Sequence, residues 1–170
     1  MPRRTVTKQD FLTALGCKTQ AWYAMRETGG MLTPADRLRM EEGQDVHRRA
    51  QSVHPDAVFA GSIAKTKRLI LGRAAEVIFE AAFEVDGYAA RADWIRRVKG
   101  GWVIGEIKSS LFSEDGPKDE HLEDLAYTTM VARRSGLPVK GCELVLMDRD
   151  WRLGMPDPDL FIVSDHTAEV

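Results

Sequence analysis

The stretch from Tyr88 to Ser110 constrains the fold more than any other part of the chain, because it predicts a β-hairpin. Two runs that alternate between apolar and polar residues flank Lys99-Gly100-Gly101, and paired glycines between such runs are typical of a tight turn. A second hairpin is predicted just before it, since Asp86-Gly87 separates Tyr88 from an apolar run that begins at Val77 or Ile78. Three consecutive strands, joined by two hairpins, are therefore predicted.

Three charged residues of the main hairpin are predicted to share one face of the sheet. Glu106 and Lys108 are two apart on the second strand, so their side chains project to the same side. With Lys99-Gly100 as the turn, Asp93 on the first strand lies opposite Glu106. With Gly100-Gly101 as the turn, it lies opposite Lys108. Both registers bring opposed Cβ atoms to roughly 5 Å, whereas a three-residue loop would turn Asp93 to the other face.

This arrangement has a chemical and a structural interpretation. Two carboxylates on neighbouring strands can hold Mg²⁺ through oxygen ligands, and a bound metal polarises a phosphoryl oxygen and lowers the pKa of its water. Lys108 would then orient the attacking water or stabilise developing charge. The structural alternative is a surface ion pair between antiparallel strands, since Glu-x-Lys is a common sequence.

Length and composition describe an ordinary globular protein. The chain has 170 residues, of which 44% are hydrophobic and 29% charged, which predicts a single domain with a true core. No apolar run reaches the ~18 residues of a membrane span, and no secretory leader is visible. We therefore expect a cytoplasmic protein with no membrane partner. Cys17 and Cys142 suggest no disulfide framework.

The charge distribution is compatible with a nucleic-acid partner but does not require one. The net charge of −2 is not that of a basic nucleic-acid coat, yet Arg48-Arg49 and Arg96-Arg97-Lys99 form local basic clusters. A metal-dependent enzyme that acts on nucleic acid needs only one basic rim beside its acidic metal site. Solvated faces of helices and strands explain the same clusters equally well.

The remaining pattern predicts helices around the sheet. Thr7 with Asp10, and Thr33 followed by Pro34, are typical helix starts. Residues 1–6 are expected to form a flexible arm, residues 7–56 a helical part and residues 57–170 the core. The predicted helices run from 7 to Gly29-Gly30, from 34 to 52, from 65 to 75 and from 117 to 135. Outside the hairpin, strands are predicted over 77–85, 142–147 and 160–163, with a short strand or extended connection over 57–63.

Two of these helices and one strand carry further candidate site residues. Gly43 and His47 are one turn apart, so a close approach of another element at the glycine would leave His47 pointing into the contact. Glu123 and Tyr127 likewise share one face of the last helix. His47 is equally compatible with an ordinary surface or core histidine. Glu76 and Glu80, near the start of the strand over 77–85, are further candidate ligands, although a solvent-exposed glutamate is the simpler interpretation of both.

In this order the motifs resemble the PD-(D/E)xK nucleases, whose signature is Asp, a hairpin and then Glu- or Asp-x-Lys. Here the signature reads Asp93, followed by Glu106-Ile107-Lys108. Within that superfamily the chain is similar to the RecB-like branch, which includes CRISPR adaptation nucleases. That branch adds Gly-x-x-x-His before the strands and Gln-x-x-x-Tyr after them. Gly43 to His47 matches the first motif, and Glu123 to Tyr127 matches the second with Glu in place of Gln.

The chain resembles more closely an uncharacterised bacterial domain family with a RecB-like nuclease half. The shared features extend over nearly the whole chain: Lys8-Gln9-Asp10-Phe11-Leu12, Cys17, Trp22, Glu80 to Phe83, Asp124 to Tyr127, Asp159-Leu160-Phe161 and Asp165-His166-Thr167. Larger members continue into a second nuclease-like domain. The chain would therefore be a stand-alone version or part of a larger multidomain protein.

The resemblance implies an α/β, restriction-endonuclease-like fold with a mixed central β-sheet flanked by α-helices. It implies Mg²⁺- or Mn²⁺-dependent hydrolysis of phosphodiester bonds in nucleic acid, most readily DNA, by an exonuclease-like enzyme with little sequence specificity. A role in DNA repair or in phage or CRISPR defence would follow.

The resemblance also implies roles for individual residues. His47, Asp93 and Glu106 would bind the metal, with the Ile107 carbonyl as an extra ligand, and Lys108 would serve the attacking water. Glu123 and Tyr127 would line the site and contact the substrate, and Tyr127 would also take part in catalysis. The basic clusters, independently of the resemblance, predict that Arg48 and Arg96 contact the substrate.

Besides Glu123 in place of Gln, the chain departs from some relatives in its cysteines. Some relatives hold an iron–sulfur cluster with one N-terminal and three C-terminal cysteines, but here only Cys17 has a counterpart, so no cluster is expected.

The alternative function is a non-catalytic nucleic-acid-binding or assembly module with a relic nuclease fold. The intact Asp93, Glu106 and Lys108 argue against it. A third interpretation is a regulatory domain in which these residues form only an ion pair.

Overall fold

The computed structural model describes residues 5–26, 33–72 and 75–170. Its centre is a six-stranded mixed sheet, so the predicted α/β architecture is confirmed. The helices are α1 (Lys8–Gly16), α2 (Lys18–Ala24), α3 (Pro34–Ser52), α4 (Ile63–Gly72) and α5 (Asp119–Arg134), with a short 3₁₀ helix over Asp157–Leu160. The strands are β1 (Val58–Phe59), β2 (Val77–Val85), β3 (Tyr88–Val98), β4 (Gly101–Leu111), β5 (Val139–Met147) and β6 (Phe161–Asp165).

The strands lie side by side in chain order. β2, β3 and β4 are antiparallel, as both predicted hairpins require. β1 pairs parallel to β2, and β5 pairs parallel to β4 and antiparallel to β6. Val98 pairs with Gly101, so Lys99-Gly100 is the turn of the main hairpin. Of the two registers open at the sequence level, this is the one that places Asp93 opposite Glu106.

The sheet separates two apolar cores. α1 and α5 cover one face, where Leu125 and Ile104 are fully buried. α3 covers the other face, where Val46 packs with Trp94 and Val103. The helices cover these faces because apolar residues alternate along the central strands and point to both sides.

β2 and β3 change face at the same level of the sheet. Ile78 and Ala81 both lie in the core beneath α5, although residues three apart on a regular strand point to opposite faces. Ala92 and Ile95 on β3 do the same. The pairing register is identical on both sides of this level, so each strand holds one extra residue there.

The extra residues are Glu80 and Asp93, and neither takes part in the ladder between β2 and β3. Glu80 has a φ of 53°, a left-handed conformation that is uncommon for residues other than glycine. Such backbone costs on the order of 1–3 kcal/mol and is concentrated at functional positions. Because of this irregularity, the side chains of Glu80 and Asp93 lie at the same level of the sheet and do not follow the alternation of the two strands between faces.

The predicted first helix is two helices in the structure. Thr7 and Asp10 form the expected capping box of α1. α1 ends at Gly16, and Cys17 is extended, with φ −157° and ψ 111°. Glycine is a poor helix former, and the break leaves Trp22 exposed. The predicted stop at Gly29-Gly30 lies outside the described residues.

The flexible arm predicted for residues 1–6 does not extend to Val6. The Val6 N–H donates to the Gly87 carbonyl at 2.8 Å, and the Ala89 N–H donates to the Val6 carbonyl at 2.9 Å. These bonds fix the start of α1 on the β2–β3 hairpin. Residues 1–4 lie outside the described part of the chain.

None of the helices in residues 5–26, 33–72 and 75–170 combines the length and hydrophobicity needed to cross a bilayer.

Candidate metal centre and its cleft

Asp93 connects three elements at the level where β2 and β3 change face. Its Oδ2 accepts a hydrogen bond of 2.7 Å from the Ile107 N–H of β4. The same oxygen lies 3.7 Å from Nε2 of His47 on α3. Regular pairing of β3 with β4 begins only at Trp94 and Gly105, because the Asp93 carboxylate takes the place of a backbone acceptor.

His47 approaches this point from α3, as predicted, but not for the predicted reason. The close approach expected at Gly43 is not found. Among the described residues outside its own helix turn, no atom lies within 4 Å of the position that a Cβ would take. Val46 and Ala50 are buried on the sheet instead, and they set the rotation of α3 that directs His47 towards Asp93.

His47, Glu80 and Asp93 form a group of potential metal ligands. One ligand atom of each residue lies within 4.8 Å of the corresponding atoms of the other two. Carboxylate oxygens suit Mg²⁺ and Mn²⁺, and an imidazole adds a nitrogen ligand. The donor set therefore fits a divalent cation that keeps water in its remaining positions. Glu76 and Glu80 were both minor candidates at the sequence level. Glu76 is exposed and is not part of this group, whereas the change of face explains the placement of Glu80.

Glu106 lies beside this group and is held by two lysines. Its Oε1 accepts hydrogen bonds from Lys8 Nζ and Lys108 Nζ, both at 2.9 Å. Its buried Oε2 has no hydrogen-bond partner among the residues that the structure describes. Burial, and then the charge of Asp93, raise the pKa of Glu106 to about 7. A buried carboxylate oxygen without a partner is a group that a cation would satisfy.

Asp124 of α5 completes a buried ion network that the sequence analysis did not assign. Lys108 Nζ donates to Asp124 Oδ2, and Lys8 Nζ lies 2.7 Å from Asp124 Oδ1. Burial acts to raise the pKa of Asp124, but the charges of Lys8 and Lys108 outweigh it and lower that pKa. Burial acts to lower the pKa of both lysines, and the charges of Glu106 and Asp124 raise it.

The only sequence signal for Lys8 and Asp124 was their position inside two motifs of the resemblance, Lys-x-Asp-Phe-Leu and Asp-Leu-Ala-Tyr, neither of which assigned them a role.

Asp93 has a perturbed pKa as well. Burial raises the pKa of Asp93 to about 6, against the charge of Lys8 and the hydrogen bond from Ile107.

Tyr127 is not among the residues that the structure brings together at Asp93. Its hydroxyl donates to the Val6 carbonyl at 2.7 Å and is 3.3 Å from the Ala89 carbonyl. Its ring stacks on Phe11 with 4.9 Å between centroids. Burial raises the pKa of the Tyr127 hydroxyl to about 12. In this structure Tyr127 fixes the N-terminal segment on the sheet.

Glu123 also points away from the ion network. It is exposed and lines a shallow hollow with Gln9 and Gln20. Consecutive helix residues diverge by about 100° around the axis, so Asp124 faces the sheet where Glu123 cannot. The residue of α5 that reaches the site is therefore Asp124, which follows the predicted Glu123 in the sequence.

The two predicted substrate-binding arginines have partners elsewhere. Arg48 is exposed and pairs with Asp45 on its own helix at 3.2 Å. Arg96 pairs with Glu143 at 2.7 Å and lines a separate hollow of about 300 Å³ on the α3 face.

Asp93 lines a cleft of about 720 Å³ between α1 and β3. Asp124, Lys8 and Arg91 line the same cleft. The cleft thus presents carboxylates and cations on one continuous surface, which is the charge pattern that a metal and a phosphate group together require.

Comparisons with known proteins show similarity of fold. No protein-family model and no curated protein matches the chain. The structure of LHK-Exo in complex with dAMP aligns over 95% of this chain and 76% of its own, with 15% identity and a TM-score of 0.55.

Two further solved structures align with lower scores. The alkaline exonuclease LHK-Exo from Laribacter hongkongensis aligns over 95% of this chain and 76% of its own, with 15% identity and a TM-score of 0.47. SSO0001 aligns over 97% of this chain and 68% of its own, with 14% identity and a TM-score of 0.48. The match to the dAMP complex shows that the chain shares the fold of LHK-Exo. It does not distinguish the RecB-like branch.

Proposed function

We propose that this protein is a Mg²⁺- or Mn²⁺-dependent nuclease that hydrolyses phosphodiester bonds in DNA. The observation that carries the proposal is the change of face of β2 and β3. It brings Glu80 and Asp93 within 4.8 Å of each other and of His47, beside Glu106 and Lys108. The fold shared with an exonuclease whose structure contains dAMP supports the same conclusion.

The metal would be held by His47, Glu80 and Asp93, with Glu106 Oε2 and the Ile107 carbonyl as further ligands. When bound, the cation supplies charge that polarises a phosphoryl oxygen and lowers the pKa of a bound water. The raised pKa values of Asp93 and Glu106 express the cost of keeping these carboxylates ionised without that charge.

Lys108 is the residue assigned to the attacking water. An ammonium has three donors and no lone pair, so Lys108 cannot ligate a cation but can hold a water or stabilise a developing negative charge. Its bonds to Glu106 and Asp124 fix the position of Nζ and keep it protonated. Lys8 balances the same two carboxylates from α1.

The finer parts of the proposal rest on the sequence resemblance. These are an exonuclease-like mode with little sequence specificity, a RecB-like ancestry and a role in DNA repair or in phage or CRISPR defence. A cytoplasmic site of action is a further prediction, from the composition of the sequence. Contacts of Arg48 and Arg96 with the substrate backbone remain predictions, as do those of Glu123 and Tyr127.

The experiment compares linear single-stranded, linear duplex and closed circular DNA, each with Mn²⁺, Mg²⁺ or a chelator. We expect metal-dependent loss of the linear substrates and a chelator-inhibited reaction. Rapid cutting of closed circular duplex would show an endonuclease. If no DNA is cut while metal is demonstrably bound, the protein is a non-catalytic module instead.

A further inference from the structure

The ion pair between Glu80 and Arg91 lies directly at the candidate metal centre. Arg91 Nη1 is 3.3 Å from Glu80 Oε2. The Arg91 side chain is 59% exposed and that of Glu80 is 19% exposed. Because the guanidinium side of this pair is open to solvent, the pair contributes little to stability, so this contact does not account for the left-handed backbone of Glu80.

Arg91 differs from the other cation of the cleft in its partners. Lys8 is held between the nearly buried carboxylates of Glu106 and Asp124, at 2.9 and 2.7 Å. Among the described residues, the salt-bridge partner of Arg91 is Glu80, a proposed metal ligand. A carboxylate oxygen that ligates a cation has less negative charge to offer a guanidinium.

We propose that Arg91 is a phosphate-binding residue of the cleft and that metal binding releases it for this role. The inference rests on the proposed function. When Glu80 ligates the metal it gives up Arg91, whose planar guanidinium is then free to donate to two phosphate oxygens of the substrate. Without the metal, Glu80 and the phosphate compete for Arg91.

This arrangement makes the binding of metal and the binding of phosphate mutually favourable. The metal adds attraction for the phosphate and also removes the competitor for Arg91. By linkage, a phosphate group that occupies Arg91 frees Glu80 and strengthens metal binding by the same factor. Loss of Arg91 should therefore strengthen the binding of metal measured alone. It should weaken the binding of phosphate measured in the presence of metal.

Calorimetric titrations of Mn²⁺, of dAMP and of inorganic phosphate test the inference without any cleavage. In Arg91→Ala we expect Mn²⁺ alone to bind a few-fold more tightly, because Glu80 has lost its competing partner. In the presence of Mn²⁺, we expect the same variant to bind dAMP and phosphate at least about tenfold more weakly, since charge-assisted hydrogen bonds are lost. Arg91→Lys should fall between Arg91→Ala and wild type.

Arg134→Ala is the matched control. Arg134 is also exposed and pairs with a carboxylate of the same hairpin, Asp86, at 2.8 Å, but it does not line the cleft. We expect its substitution to change none of the three titrations. Thermal melts of both variants confirm that each is folded, as the exposure of both side chains predicts.

Three results would overturn the inference. One is an unchanged affinity of Arg91→Ala for dAMP and phosphate in Mn²⁺. Another is weaker binding of Mn²⁺ alone, which would make Arg91 a support of the metal site. The third is an equal loss of phosphate affinity with and without Mn²⁺. None of the three contradicts the proposed nuclease function. Failure of the wild-type protein to bind Mn²⁺ would refute both that function and the role of Arg91.

Discussion

Lys108 and Asp93 have separate tasks at the scale of single residues. Lys108→Ala should abolish DNA cleavage and leave Mn²⁺ affinity largely unchanged, because an ammonium is not a ligand. Asp93→Ala should lose both, because its carboxylate lies between the other ligands. Calorimetry and a cleavage assay on the same preparations check the division, with Lys108→Met as a control that keeps the packing volume. Equal loss of Mn²⁺ affinity in the two alanine variants would contradict it.

Glu80 combines a ligand with an unfavourable backbone conformation. Its φ of 53° suits glycine, so Glu80→Gly should be more stable than Glu80→Ala by about 1 kcal/mol. Both variants should lose Mn²⁺ affinity, since both lack the carboxylate. Urea unfolding and Mn²⁺ titration separate the two effects. If Glu80→Gly and Glu80→Ala unfold with the same free energy, the backbone of Glu80 is not strained.

Gly105 and Trp94 fix the contact between β3 and β4 at the scale of elements. A Cβ on Gly105 would lie 1.9 Å from the indole ring of Trp94, which is itself buried. Gly105→Ala should therefore destabilise the protein by about 1–3 kcal/mol or more through overpacking. Gly43→Ala is the control, because that position is open and alanine favours the helix by up to about 1 kcal/mol. Urea unfolding of both variants measures the difference, and a neutral Gly105→Ala would contradict the described packing.

The strands of the two hairpins followed from local patterns, whereas the choice between the two possible registers of the main hairpin and the change of face did not. Alternation and turn residues identify β2, β3 and β4 because side-chain period and turn chemistry are local properties. The run from Val77 to Val85 is apolar on both faces, so one extra residue leaves no trace in its pattern. The position of Glu80 depends on a matching extra residue, Asp93, on the next strand, and that correspondence exists only in the paired sheet.

The helix motifs were informative about elements but less so about individual side chains. α3 and α5 were predicted from caps and apolar stripes, and His47 was correctly placed near Asp93. On α5, spacing alone could not decide which face meets the sheet, and that face presents Asp124 in place of Glu123. Lys8 was missed because its partners Glu106 and Asp124 are about a hundred residues away in the sequence and nothing local indicates them.

Ionisation of the site affects the stability of the whole molecule. The raised pKa of Asp93, about 6, means that the metal-free native state holds a proton that the unfolded chain has lost. Its stability must therefore fall as pH rises from about 4 towards 7. Metal-free Asp93→Asn should consequently gain stability relative to wild type between pH 5 and pH 8, by roughly 1–3 kcal/mol.

The comparison with Asp93→Asn isolates the charge of Asp93, including the part of the raised pKa of Glu106 that this charge causes, which acts in the same direction. Burial lowers the pKa of His121, which acts in the opposite direction, but His121 is present in both proteins. Urea unfolding at pH 5 and pH 8 measures the difference. Mn²⁺ at pH 8 should stabilise wild type more than the variant, because binding to the native state adds to its stability. A difference between the proteins that does not change with pH would contradict the burial of an ionisable Asp93.

The central claim is that a divalent cation binds where β2 and β3 change face. Crystals soaked in Mn²⁺ and measured for anomalous scattering test it most directly. We predict a peak in contact with His47, Glu80 and Asp93, at about 2.0–2.2 Å from the carboxylate oxygens. A map without a peak at Asp93, from protein that cuts DNA in the same Mn²⁺ buffer, would contradict the claim.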